Sequence, residues 1–270
     1  MNLTNSNFAN TFLVVIGFLL LLLLPLDLVF STLGLSEFKA EQLGDILKNI
    51  IIIAYGYLLI RQFGYTKISG IFNIRPQHPL LLIVPLYFIG LGFLQYTLFD
   101  YQFTDVTGTD VLILLGAMLT VGLSEEIIFR GFVLPNLIKG SSSNQSFFVP
   151  IFLGSFLFGV LHFLNLFQAD SSAPLVLAQV TYAIMFGISF GIVLLRSGSL
   201  LPLGLLHGLI NFSFNWGKLP GAVVPPEIET YQLYDAIISV IIVLPYFYYT
   251  LKQLPNLNRN AILDLYQPSP

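Results

Sequence analysis

Eight apolar runs, each close to the length of a bilayer-spanning helix, dictate what this chain can fold into. They fall at roughly 11–31, 46–62, 79–98, 111–137, 148–167, 175–195, 199–216 and 234–251, here numbered spans one to eight. A spanning helix needs about 20 mostly apolar residues, and in lipid its backbone must satisfy its own hydrogen bonds. The sequence therefore predicts an all-α, polytopic membrane helix bundle of about eight transmembrane helices. Only 9% of the 270 residues are charged, against about 25% in soluble domains, so a water-soluble fold could not hide the apolar surface. Residues 11–30 exceed the apolar core of a signal peptide, about 7–15 residues, and no Lys or Arg precedes them, so they are expected to be the first span.

The breaks between spans carry turn residues, as in GSSSNQS at 140–146, ADSSAP at 169–174 and RSGS at 196–199. None is long enough for a separate soluble domain. Basic residues near span ends set orientation. Arg61, Lys67, Arg75, Lys139, Arg196, Lys252 and Arg259 fall on one side, against Lys39, Lys48 and Lys218 on the other, where Asp170, Glu227 and Glu229 also lie. This bias predicts both termini in the cytoplasm. The scattered basic residues and a net charge of −3 offer no phosphate-binding face, so nucleic acid is not an expected partner. Membrane lipids are. The absence of cysteine excludes disulfides, thiolate catalysis and sulfur-ligated metal.

Span four contains GLSEEIIFRGFVLP, which puts Glu125, Glu126 and Arg130 inside a membrane-length apolar helix. Each central charge costs from about 2.5 to over 10 kcal/mol, so such residues pair, face the bundle interior or do chemistry. Glu126 and Arg130 stand at i, i+4 with the acid N-terminal, which predicts a structural ion pair. Glu125 points about 100° away from Glu126, so the arginine cannot easily neutralise both acids, and Glu125 is left as the candidate proton acceptor. Span five supplies FGVLH, with Phe158 and His162 on one face near the outer end. Span seven supplies HGLIN, with His207 and Asn211 on one face near the middle. A lone intramembrane histidine is ordinarily a helix-to-helix hydrogen bond; a Glu, two His and an Asn on three helices point instead to a shared site. His78, at the edge of span three, reads as a loop residue. Trp216, Tyr246, Tyr248 and Tyr249 near span ends read as interfacial anchors. The pairs Gly187–Gly191 and Gly204–Gly208 read as close helix packing.

EEIIFR (Glu125 to Arg130), FGVLH (Phe158 to His162) and HGLIN (His207 to Asn211) resemble, in order, the three motifs of the CAAX-protease and bacteriocin-processing membrane family, also called CPBP or Abi. The resemblance covers roughly residues 110–216. It implies a catalytic helix core there, with about three N-terminal transmembrane helices in 1–109 and a C-terminal transmembrane helix and tail in 217–270. It implies an intramembrane endopeptidase in which Glu125 with His162 activates water, His207 and Asn211 stabilise the oxyanion, and Glu126 with Arg130 braces the helix. The implied partner is a membrane-associated peptide or protein substrate, prenylated or leader-bearing. The family also includes self-immunity and scaffold proteins.

Two mechanisms remain open at this stage. In the favoured one no metal or other cofactor takes part. In the alternative, Glu125, His162 and His207 ligate zinc with one position open, the ligand number of a catalytic site. A non-catalytic membrane scaffold and a proton-coupled transporter are the competing functions. The transporter usually shows related halves or interrupted helices, and neither is visible in the sequence.

Overall fold

The structure, a computed structural model, describes residues 5–141, 146–167, 172–223 and 232–266. Asp170, Glu227, Glu229 and most of the two polar breaks that follow spans four and five lie outside those ranges. Among the described residues, seven helices are long and apolar enough to cross a membrane: Ser6–Ser31, Glu37–Gln62, Leu80–Leu98, Gly108–Gly140, Phe148–Phe167, Ala173–Ser197 and Gln232–Asn256. Leu200–Phe214 is a shorter apolar helix. These correspond to the eight expected spans, and the protein is a polytopic helical membrane bundle.

Several boundaries depart from the apolar runs for local reasons. Span one is interrupted after Leu22 and resumes at Asp27, around Pro25, whose missing N–H and fixed φ cannot sustain the helix. Span two begins at Glu37, well before its apolar run, because Ala40, Gln42 and Gly44 are buried and the Gly44 backbone abuts that of Asp27. Span seven has 15 residues, about 22 Å of rise, which falls short of a hydrocarbon layer of about 30 Å. Its C-terminal end is capped by residues 215–223, which pack on the cluster of Leu114, Met118, Phe212 and Leu219. There Gln102–Phe103 pairs antiparallel with Ala222–Val223, the only strands among the described residues.

Glycine contacts at two helix pairs set the helix layout. Gly122 of span four lies against the backbones of Gly204 and Gly208 of span seven, so any Cβ at Gly122 would collide with them. Gly187 packs on Ser155, and Gly191 on Ile151, joining span six to span five. Close approach at small residues is how helices associate where lipid offers no hydrophobic gain.

Buried polar residues tie the bundle together as well. Asn136 of span four, fully buried, donates to the Asn7 carbonyl at 2.7 Å and to Thr11 Oγ1 at 2.9 Å. Its Oδ1 accepts from the Tyr65 hydroxyl at 2.9 Å. Burial pushes the Tyr65 hydroxyl up to about 12, so it stays a donor at any ordinary pH. Tyr266 donates to the Pro135 carbonyl at 2.7 Å, fastening the C-terminal segment to the same place. Tyr246 corrects the sequence expectation: it is buried among Phe88, Phe186 and Phe190 rather than anchored at the interface. Tyr248 is exposed and stacked under Lys252, as an interfacial residue would be. His78 is exposed, with φ of 52°, in the loop before span three.

Candidate active site

Span four starts with a capping box. Thr107 Oγ1 accepts from the Asp110 N–H at 3.2 Å, and Asp110 Oδ2 accepts from the Thr107 N–H at 3.1 Å. Regular α-helix then runs from Gly108 to Glu126, and a π-helical segment from Ile127 to Val133 follows directly. Pro135 accounts for the change. It cannot donate to the carbonyl of Gly131, and its ring crowds that carbonyl, so the preceding turn widens. The widening begins one residue after the paired acids and contains Arg130.

Glu126 is fully buried and Arg130 nearly so, with Arg130 Nη1 3.0 Å from Glu126 Oε1. The expected ion pair is therefore present. Its geometry is charge contact rather than an aligned hydrogen bond, since neither terminal guanidinium nitrogen has a hydrogen-bond partner among the described residues. The guanidinium lies instead over the Phe158 ring, 4.5 Å from its centroid, with Phe190 at 5.9 Å. A desolvated cation on two ring faces gains from the ring quadrupoles, by about 2 kcal/mol at such sites.

His207 supplies what the sequence did not reveal. Its Nδ1 is 2.9 Å from Glu126 Oε1, and its Nε2 is 3.6 Å from Glu125 Oε2. Because a carboxylate only accepts, the Glu126 contact fixes the proton on Nδ1 and turns Nε2 toward Glu125. The 3.6 Å gap slightly exceeds hydrogen-bond length, so a small side-chain movement brings the two groups into contact. Glu125 keeps 19% of its side chain exposed and His207 13%, while Glu126 has none. The two acids therefore differ in kind: one keeps accessible surface, the other is sealed.

The α-helix of span five ends at Leu161, and His162 opens the tighter helical stretch that continues to Phe167. His162 Nδ1 donates to the Phe158 carbonyl at 3.2 Å in the tautomer that makes this bond, leaving Nε2 free to accept. Its ring packs edge-on to Phe158 at 5.0 Å, and Phe158 in turn lies 6.3 Å from the His207 ring. His162 is thus gathered to the site through Phe158, not through contact with Glu125. Asn211, half-buried, lies one turn beyond His207, and its backbone carbonyl accepts from the Asn215 side chain at 2.7 Å. Behind the acids, buried Ser124 donates to Oδ1 of Asn49 in span two at 2.6 Å.

The zinc alternative requires Glu125, His162 and His207 to converge on one ion. Among the described residues no three His, Asp or Glu side chains are grouped closely enough to hold a metal. The arrangement does not fit that donor set. It does fit proton transfer, with an accessible acid beside an imidazole whose far nitrogen rests on a second, sealed acid.

Of the expected residues, the structure brings Glu125, Glu126, Arg130 and His207 into direct contact, and it adds two features the sequence did not reveal, Phe190 beside Arg130 and the bond from His207 to Glu126. Phe190 carries no local signal, lying in an apolar helix. The bond was hidden because assigning Glu126 wholly to Arg130 left no acceptor for a histidine 81 residues away.

Residues 107–213 match the family model described as Rce1-like, type II CAAX prenyl endopeptidase Rce1-like. The match opens on the capping residue Thr107, closes just beyond Asn211, and agrees with the resemblance carried by the three motifs. It supports a CAAX-type intramembrane endopeptidase in general, in an integral multi-pass membrane setting. No curated protein matches the chain.

Proposed function

We propose, on the premise of that match, that the protein hydrolyses a peptide bond of a membrane-associated substrate, with Glu125 as the general base. The placement of His207 between the sealed Glu126 and the accessible Glu125 carries this reading. Water held at Glu125, with His162 Nε2 as a second acceptor, gives its proton to the carboxylate as its oxygen attacks the scissile carbonyl. The tetrahedral oxyanion is met by His207 Nε2–H, in the imidazolium that Glu126 stabilises, and by the Asn211 amide. Collapse breaks the C–N bond, and Glu125 returns the proton to the departing amine. Arg130 beside Glu126 holds that carboxylate against His207 Nδ1–H, so the ring keeps its orientation through the cycle. No metal takes part, a reading supported by the unsuitable donor geometry. The basic-residue bias supports cytoplasmic termini, and the family match supports a prenylated peptide as substrate, with a leader-bearing peptide resting on the motif resemblance alone.

The test compares the proteomes of membranes carrying the parent protein or Glu125→Gln. Uncut precursors should accumulate only with Glu125→Gln. If the two profiles are the same, the protein is a scaffold; if a solute gradient is lost instead, it is a transporter. Elemental analysis of active protein should find no zinc that tracks activity, and zinc lost in step with activity in His162→Ala would overturn the metal-free mechanism.

A further inference from the structure

We propose that the groove where spans three and seven leave the apolar layer binds the alkylammonium headgroup of a zwitterionic phospholipid. The groove encloses about 410 Å³, and its walls include Phe93, Tyr96, Tyr101, Phe103 and Trp216, with Asp100 at the rim. Tyr101 and Phe103 are stacked at 6.4 Å and 19°, but the other wall rings cross them. Tyr96 meets Tyr101 at 4.9 Å and 81°, and Phe103 meets Trp216 at 5.9 Å and 87°, so ring faces are presented from several directions. That arrangement suits a cation with no flat side, held by ring quadrupoles.

The charge around the groove has the complementary sign. Asp100 is exposed in a left-handed conformation, φ 51°, and among the described residues no Lys or Arg pairs with it. Burial first, and then the nearby Asp235 carboxylate, hold the Tyr101 hydroxyl above its ordinary value, which places a second acid within electrostatic reach. The walls are built rather than loose. The Gly217 N–H donates to the Tyr96 hydroxyl at 3.3 Å, the Thr104 N–H donates to the Gly221 carbonyl at 3.0 Å, and the ribbon pairs Gln102 with Val223.

A lipid headgroup rather than a peptide is the occupant because of position. The groove lies at the ends of two spans, at the level where aromatic residues meet headgroups. Along span seven it is displaced from His207 by more than about 10 Å of helix rise, away from the residues proposed for chemistry. The proposal does not depend on the protease reading.

Trp216 is the only tryptophan of the chain, so intrinsic fluorescence reports directly on the groove. Full-length protein in a nonionic detergent is titrated with choline and with 3,3-dimethylbutan-1-ol, its uncharged isostere. Choline should give a saturable change at least about fivefold tighter than the alcohol, and Asp100→Asn should remove most of that preference. Melting midpoints are then compared in nanodiscs of phosphatidylcholine and of phosphatidylglycerol. Parent protein should melt higher in phosphatidylcholine, and Asp100→Asn should lose that difference. Equal response to choline and alcohol, or no saturable response, overturns the cation site. A choline response with lipid preferences identical in parent and Asp100→Asn overturns the lipid assignment.

Discussion

Replacing Glu126 with Gln tests the sealed pair more sharply than removing any other side chain. The amide is nearly isosteric, and its carbonyl can still accept from His207 Nδ1, so the hydrogen bond of 2.9 Å survives in form. What disappears is the negative charge 3.0 Å from an Arg130 whose terminal nitrogens have no hydrogen-bond partner among the described residues. Leaving a buried charge without its counter-ion costs about 3–5 kcal/mol. At about 2–4 °C per kcal/mol for a chain of this size, the melting midpoint in detergent should fall by roughly 6–20 °C. The double variant Glu126→Gln with Arg130→Met removes both charges and keeps the volume over Phe158. It should recover most of the lost stability while remaining inactive, because neither form supplies the anion that supports an imidazolium. An unchanged midpoint in the single variant, or a double variant less stable than the single, would refute the pairing and the role given to Glu126.

Asn211→Ala should lower cleavage by about 10²–10³, as loss of one oxyanion donor does, with little change in melting; a loss below tenfold in single-turnover assays removes Asn211 from the mechanism. Asn136→Leu should cost about 1–3 kcal/mol by leaving the Tyr65, Thr11 and Asn7 groups unpaired, read as a lower midpoint with the remaining activity per folded molecule unchanged. Gly122→Val should destabilise by about 1–3 kcal/mol or more, since the backbones of Gly204 and Gly208 cannot move aside. A Gly122→Val protein that melts like the parent would mean that spans four and seven are not in that contact.

The spans were legible because hydrophobic length is a one-dimensional property that lipid enforces. The short span seven and the early start of span two were not, because both depend on neighbours: the aromatic cap at Trp216 in one case, the Asp27 backbone in the other. Within the site, pairs at i, i+4 such as Glu126 and Arg130 follow from helical geometry. Contacts between helices do not, so the second partner of Glu126 emerged only with the fold. Constant 100° steps also fail past Glu126, where the π segment changes the rotation per residue. Tyr246 was misread for a related reason: it lies close to Pro245 near a chain-end span, but its ring turns inward onto Phe88 and Phe190.

The charges of span four also constrain how the protein is made. Glu125, Glu126 and Arg130 each oppose membrane insertion by about 2.5–3.5 kcal/mol at a helix centre, and each Leu, Ile, Val or Phe favours it by only about 0.3–0.6. A segment with that balance partitions poorly on its own when it leaves the ribosome. The bond between Glu126 and Arg130 is available at once, because both partners belong to the same helix. His207 is synthesised 81 residues after Glu126, so Glu125 must wait, exposed to lipid or held in the translocation channel, until span seven arrives. Insertion of span four is therefore completed by tertiary assembly, and a ribosome stalled before His207 should leave that span extractable while spans two and three are already integrated.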